Sequence, residues 1–235
     1  MANYDVFGKF YDAIMGDRGK ATMRLRELIH KVNPKAQNVL ELGCGTGSVL
    51  KHLVKDYEVW GVDLSNKMLS LAKKKVPQAR LSRQDMVRFR LPKRFDVICC
   101  VFDSINHILS FADWKKLFAN VRRHLSDSGI FIFDINTQKK LDRHIAEPPW
   151  VHKFGNNLLI MEITAVRRRA SNWNIKVFER TQANRYLLHE ENIQEASFPM
   201  HQIDSALQVH FRRVTIIDNR SQASFSGITE AVLRL

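Results

Sequence analysis

The stretch Val39-Leu40-Glu41-Leu42-Gly43-Cys44-Gly45-Thr46-Gly47 limits what this chain can become more than any other. An apolar strand runs straight into a glycine-rich turn, and a helical stretch follows. Glycines at 43, 45 and 47 allow the chain to turn sharply and let a ligand lie against bare backbone, beside the amides of a helix N-terminus. The spacing is GxGxG, not the dinucleotide fingerprint GxGxxG, because the third glycine comes one residue early. A tight turn that holds nothing is the plainer alternative. Asp63 narrows the choice: it ends the apolar run Val59-Trp60-Gly61-Val62, twenty positions after Gly43. In a nucleotide-binding sheet that position meets the ribose, where a carboxylate can accept from both hydroxyls and would repel a 2′-phosphate. Alone, Asp63 could be only a loop acid that caps a helix.

The rest of the first 135 residues alternates strand-like runs with amphipathic helices, as βαβ units of a parallel sheet do. Met23, Leu25, Leu28, Ile29 and Val32 fall at helical spacing over 21–31, and Asn33-Pro34 stops that helix. Strands are expected at 38–42, 58–62, 79–82, 95–102 and 130–135, and helices at 47–54, 66–75 and 113–125. Ser65 is the N-cap candidate of the second helix, and an Asp127-Ser128-Gly129 turn separates the third from the last strand. After Asn136 the pattern changes. Runs at 158–166, 174–180 and 191–198 read as strands joined by polar segments, with Glu147-Pro148-Pro149-Trp150 as a loop, so an antiparallel insertion is expected over 137–199. A short helix through Leu207 and strands at 209–217 and 228–233 then complete the main sheet. The division is a core of 1–136 plus 200–235, with 137–199 inserted as a lid over the acceptor site.

Composition excludes several classes. No run approaches the roughly 20 apolar residues that span a bilayer, and Met1 to Asp5 lacks the features of a secretory signal, so a cytoplasmic protein is expected. Cys44, Cys99 and Cys100 are odd in number and form no CxxC pair, which indicates reduced thiols. The nine histidines are scattered, without HExxH, so no metal site is expected. The net charge of +13 is concentrated. From Lys67 to Arg94 there are ten basic residues against the single acid Asp85. Such a stripe could attract phosphates, or it could be a solvated helix face with loop arginines.

Taken together the motifs resemble the class I S-adenosylmethionine-dependent methyltransferases. Leu40 to Gly47 is similar to the family's ExGxGxG motif, Gly61-Val62-Asp63-Leu64-Ser65 with Met68 to its ribose-binding strand end, and Gln84-Asp85-Met86 to its adenine-binding motif. Leu125 to Gly129 resembles the LxPGG turn, with Asp127 and Ser128 in place of the proline and first glycine. The resemblance implies a Rossmann-like, doubly wound α/β fold whose seven-stranded, mostly parallel sheet has the order 3-2-1-4-5-7-6. It further implies that Gly43, Cys44, Gly45 and Gly47 lie along the methionine part of S-adenosyl-L-methionine, with Glu41 near its amino group. Asp63 would hold the ribose, Asp85 would accept from the adenine amino group, and Leu64, Met68 and Met86 would cover the ring. Phe102 would line the same site.

Methyl transfer from a sulfonium needs positioning, exclusion of water and removal of any acceptor proton. Phe102-Asp103-Ser104-Ile105-Asn106-His107 follows the fourth strand, at the carboxyl end where open α/β sheets bind ligands. His107 is therefore the candidate general base, and a helix-face histidine satisfied by a neighbour is the alternative. Tyr4-Asp5-Val6-Phe7-Gly8-Lys9-Phe10-Tyr11-Asp12 resembles the YDxxxxxYD lid of small-molecule N-methyltransferases of this class. That resemblance turns Tyr11 and His107 toward the acceptor and gives Asn136 a place in its pocket. The expected activity is methylation of a small-molecule amine or hydroxyl, leaving S-adenosyl-L-homocysteine. An RNA or ribosomal substrate docked on the 67–94 stripe, a nicotinamide-dependent oxidoreductase and a non-catalytic scaffold are the alternatives, and a homodimer is open.

Overall fold

A computed structural model of the chain describes residues 4–167, 169–182, 185–218 and 228–234. Part of the expected 200–235 segment, at 219–227 and 235, therefore lies outside the described residues. Eleven strands form two sheets. The larger contains β1 (Asn38–Leu42), β2 (Glu58–Asp63), β3 (Arg80–Arg83), β4 (Phe95–Cys100), β5 (Leu125–Asn136), β10 (Arg213–Asp218) and β11 (Ile228–Arg234). Its order is β3-β2-β1-β4-β5-β11-β10, parallel through β5 with β10 and β11 antiparallel. That is the 3-2-1-4-5-7-6 order expected from the motifs.

Period-two alternation explains why this sheet is buried on both faces. Val39, Val97, Cys99, Ile130 and Ile132 pack to one side with Leu25 and Ile29 of α2 (Gly19–Val32) and Leu50 and Leu53 of α3 (Leu50–Leu53). Leu40, Leu42, Ile98, Cys100, Phe131 and Phe133 pack to the other. There they meet Trp114, Leu117 and Phe118 of α5 (Phe111–His124) and Ile203 and Leu207 of α7 (Met200–Gln208). Strands covered by helices on both faces need apolar side chains in both phases, which these have. All three cysteines are free and buried, and among the described residues no helix is long and apolar enough to cross a membrane.

The β1–β2 layer leaves no room at Gly61. A Cβ there would stand 2.7 Å from Cys44 Sγ and 2.9 Å from both Leu50 Cδ1 and Leu81 Cδ2. Overpacking of this kind costs about 1–3 kcal/mol, so Gly61→Ala should lower the melting temperature by roughly 2–12 °C in a chain of this size. An unchanged melting curve would contradict the packing described.

Three expectations need correction. The helix at 47–54 shrinks to Leu50–Leu53, because Gly47 takes φ 75°, a left-handed value that a helix cannot contain. The Asp127-Ser128-Gly129 turn is absorbed into β5, where the register jumps from Phe95 opposite Leu125 to Val97 opposite Ile130. Two steps along β4 thus match five along β5, and the turn residues fill the irregularity. Finally, the 137–199 insertion is not all strand. It opens with α6 (Gln138–Ala146), whose N-cap Thr137 accepts from the Lys140 amide, and Trp150 begins a strand instead of closing a loop. The second sheet has the order β6-β7-β8-β9, all antiparallel, from β6 (Trp150–Phe154), β7 (Asn157–Arg167), β8 (Ala170–Arg180) and β9 (Tyr186–Ala196).

Candidate active site

The carboxyl ends of β1, β2 and β4 converge on a cavity of about 140 Å³ lined by Gly43, Gly45, Asp63, Leu64, Met68, Gln84, Met86, Phe102, Ser104 and His107, with Tyr4 and Tyr11 above. A smaller compartment adjoins it, sharing Gly43, Gly45, Tyr11, Phe102 and Ser104 and adding Arg18, Glu41 and Cys44. Gly43 has φ 71°, and a Cβ on it would lie 3.0 Å from Ser104 Oγ and 3.3 Å from Met86 Cε. Bare backbone is required there.

Asp63 ties this corner together. Its Oδ2 accepts from the Gly45 amide at 2.9 Å and its Oδ1 from the Ser65 amide at 2.8 Å. One carboxylate thus shapes the glycine turn and the start of α4 (Asn66–Lys75) at once. Burial raises its pKa, against the pull of those backbone amides. Ser65 caps α4 by accepting from the Met68 amide, which turns the Met68 side chain into the cavity.

The opposite wall is strained. Phe102 and Asp103 both lie in the left-handed region, with φ 58° and 55°, at a cost of about 1–2 kcal/mol each. Asp134 at the end of β5 holds them there: its two carboxylate oxygens accept from the amides of Phe102 at 2.9 Å and Asp103 at 2.6 Å. The turn leads into a 3₁₀ segment, Ser104–His107. Backbone strain held by a buried carboxylate in this way clusters at functional sites.

The inner compartment has two charged poles. Glu41 is 3% exposed and its Oε2 has no hydrogen-bond partner. Burial, reinforced by the charge of Asp63, holds its carboxyl well above the usual range. Arg18, also buried, lies over the Phe102 ring at 4.2 Å and hydrogen-bonds Tyr11. An unpartnered carboxyl and a guanidinium in one pocket suit the ammonium and carboxylate of an amino acid.

The N-terminal segment roofs the cavity, and the aspartates of its repeated Tyr-Asp pattern fasten it. Asp5 accepts from Ser65 Oγ at 2.6 Å, while Asp12 accepts from Thr46 Oγ1 and Lys75 Nζ, each at 2.6 Å. Glu191 of β9 receives the amides of Tyr4 at 2.6 Å and Phe7 at 2.7 Å. Phe7, Phe10 and Ile14 pack on Leu159, Ile175, Val177 and Ile193 of the second sheet. No described residue of 137–199 lines the cavity or its inner compartment. The insertion buttresses the roof from behind.

His107 is held at both ring nitrogens. Nδ1 lies 3.2 Å from the Gln194 carbonyl and Nε2 lies 3.1 Å from the Tyr4 hydroxyl. A carbonyl oxygen only accepts, so Nδ1 carries the hydrogen, and in the neutral tautomer Nε2 is left to accept from the Tyr4 hydroxyl. Burial raises the pKa of both Tyr4 and Tyr11, so the phenols stay protonated.

Some expected residues stand elsewhere. Gly47 faces the core of α4, where a Cβ would meet Ala72 Cβ at 3.1 Å; it serves helix packing and not the cavity. Asn136 is 2% exposed and lies behind the site, where its Nδ2 donates to Glu195 Oε2 at 2.7 Å and its amide donates to Asn106. It lines neither compartment. Asp85 is absent from the lining too: its Oδ1 accepts from the Val87 amide, while Gln84 and Met86 on either side reach the cavity. Tyr4, Arg18, Gln84 and Ser104 were not singled out from sequence. Tyr4 and Gln84 sat inside recognised motifs, but nothing in the local pattern around Arg18 marks it.

A Rossmann-like sheet with a glycine cradle, an acid at the end of β2 and a polar wall at the end of β4 has the layout of a nucleoside-binding site. The chain matches the family described as "Methyltransferase domain" over residues 39–129. Among curated relatives it is 29% identical over 131 residues to a dTDP-3-amino-3,4,6-trideoxy-alpha-D-glucopyranose N,N-dimethyltransferase of Streptomyces venezuelae, covering 55% of each chain. It is 32% identical over 131 residues to a dTDP-3-amino-3,6-dideoxy-alpha-D-glucopyranose N,N-dimethyltransferase of Streptomyces fradiae, covering 54% of this chain and 51% of that one. The matched region thus spans about half the length of these relatives. Among solved structures, an S-adenosylmethionine-dependent methyltransferase from Clostridium acetobutylicum superposes with a TM-score of 0.84 at 27% identity, over 99% of this chain and 98% of that one. Over residues 39–129 the chain is thus similar to methyltransferase domains, and its whole fold is similar to that of an S-adenosylmethionine-dependent methyltransferase.

Proposed function

We propose that the protein transfers a methyl group from S-adenosylmethionine to an amine nitrogen of a small molecule, a sugar amine being the first candidate. The observation that carries this reading is the Tyr4–His107 pair, which brings an oriented lone pair into the cavity that also holds Gly43, Asp63, Met68 and Met86. The named sugar N,N-dimethyltransferases among the relatives support the choice of acceptor. When bound, the cofactor supplies an electrophilic methyl group on sulfonium sulfur.

The chain's own residues divide the work. Asp63 receives the ribose hydroxyls; Leu64, Met68 and Met86 cover the adenine faces, and Gln84 and Asp85 stand at its edge. Glu41 and Arg18 receive the amino-acid end, which lies along Gly43, Cys44 and Gly45 with Phe102 as its wall. Tyr11 and Tyr4 close the acceptor side against water. His107 Nε2 takes the acceptor proton, directly or through the Tyr4 hydroxyl, and Gln194 holds the ring in the tautomer that can do so. The reading also places the enzyme in the cytoplasm, where its buried thiols remain reduced.

The test is methyl transfer to a panel of nucleotide-linked amino sugars, their hydroxyl analogues and short RNAs, read as S-adenosylhomocysteine release. Turnover of amino sugars alone is expected; turnover confined to the hydroxyl compounds or RNA would reject the amine assignment.

A second prediction concerns Glu41. Burial and the charge of Asp63 favour its neutral form, and an ammonium brought beside it favours the charged form and lowers its pKa. Binding of S-adenosylhomocysteine should therefore release up to about one proton in the window above the usual carboxylate range. Calorimetry in buffers of different ionisation enthalpy measures this release, and Glu41→Gln should abolish it. The same release from the variant would show that another group titrates.

A further inference from the structure

Beyond β3 the chain alternates buried Val87 and Phe89 with exposed Arg88 and Arg90. Facing them is α5, with Lys116, Ala119, Asn120, Arg123 and His124. Between the two lies a groove of about 480 Å³ that shares no lining residue with the cofactor cavity.

The floor of this groove is fixed. Asn120, 4% exposed, donates through Nδ2 to the carbonyls of Phe89 at 3.0 Å and Val87 at 3.5 Å. His124 packs on Phe89 with 4.4 Å between ring centres, donates from Nδ1 to the Asn120 carbonyl at 2.9 Å and accepts from the Leu91 amide at 3.3 Å. With Nδ1 donating and Nε2 accepting, the ring is fixed in place and acts as a wall. Gln84 closes the loop on itself, accepting from the Arg90 amide at 2.7 Å and donating to its carbonyl at 3.1 Å. Arg88 and Arg90 thus project from a braced backbone.

Four cationic side chains and no carboxylate line the groove. Lys116 is paired with Asp113, but among the described residues no carboxylate pairs with Arg88, Arg90 or Arg123. Cations in the last turn of a helix answer its dipole, which accounts for Arg123. It does not account for two arginines on a separate loop or for Lys116 two turns earlier. Elsewhere in the basic stripe Lys75 is matched by Asp12, Arg80 and Lys93 by Glu58, and Arg94 by Asp127, while Lys73 and Arg83 donate to the carbonyls of Pro77 and Leu64 and Lys67 and Lys74 lie on α4, outside the groove. Arg88, Arg90 and Arg123, none with an acid partner among the described residues, meet in one concave spot, which suits a compact anion better than the extended backbone of a nucleic acid.

We propose that this groove binds a compact oligophosphate group, gripped by Arg88, Arg90, Arg123 and Lys116. Guanidinium forks engage phosphate oxygens bidentately, and two braced arginines opposite a third match the closely spaced anions of a linked phosphate chain.

The test titrates the full chain with sodium tripolyphosphate by calorimetry at low salt. Saturable binding with a Kd below about 100 μM is expected, weakened at least tenfold in both Arg88→Glu and Arg123→Glu. Both positions are exposed, so the melting temperature of each variant should stay within about 2 °C of the parent, which separates lost binding from lost folding. Absence of saturable binding, or affinity that both variants keep, overturns the proposal. A single-stranded RNA that binds more tightly than tripolyphosphate and loses affinity in the same variants overturns the assignment to a compact ligand.

Discussion

Asp63→Ala should weaken S-adenosylhomocysteine binding by at least about 100-fold, near 3 kcal/mol. Two losses combine in this variant. The first is the pair of charge-assisted hydrogen bonds that the carboxylate offers to ribose hydroxyls, each worth about 1.5–3 kcal/mol. The second is the internal role of the same oxygens, which brace the amides of Gly45 and Ser65 and so shape the cradle itself. Asp63→Asn separates the two, because the amide oxygen can still accept from one backbone N–H while the charge is gone. Its affinity should fall between the parent and the alanine variant. Parent-like affinity in both variants would show that the acid does not face the ligand.

The second large effect concerns proton removal. His107→Ala should lower kcat by about 10²–10⁴-fold, the usual contribution of a positioned general base, and should leave the S-adenosylhomocysteine Kd within about threefold. The split matters, since a merely structural histidine would lower stability and cofactor affinity together. Tyr4→Phe keeps the ring and removes only the hydroxyl at 3.1 Å from Nε2. Its kcat should fall by less than that of His107→Ala if the base can also reach the acceptor directly, and by as much if the phenol is an obligatory relay. An unchanged kcat in His107→Ala would remove the histidine from the chemistry.

What the sequence disclosed and what it hid follow from the range of the interactions concerned. The strand order and the Met68–Met86 pair came from the family resemblance, whereas the alternation of strands and helices, the glycine turn and Asp63 depend on local pattern: apolar periodicity, turn chemistry and an acid at a strand end. These could be read because neighbours in sequence decide them. Gly47 was misread for the same reason in reverse, since its spacing suits a ligand cradle and only the packing of Ala72 from α4 shows what it faces. Asn136 and Glu195 meet across 59 residues, and His107 and Gln194 across 87. No local period reports such contacts. The helix α6 escaped notice because its buried face is narrow, with Leu141 its one buried residue. The basic stripe looked continuous in sequence, whereas the fold disperses it, matching several charges with acids and setting two arginines opposite a different helix.

The account's central claim is that one acid and one glycine turn grip a sulfonium nucleoside at the carboxyl end of β1 and β2. A crystal structure of the protein with S-adenosylhomocysteine tests it most directly. The account predicts the Asp63 carboxylate within about 3 Å of both ribose hydroxyls, the homocysteine end between Glu41 and Arg18, and the adenine between Leu64, Met68 and Met86. A nucleoside seated elsewhere on the chain, or a ribose that Asp63 does not touch, would contradict it.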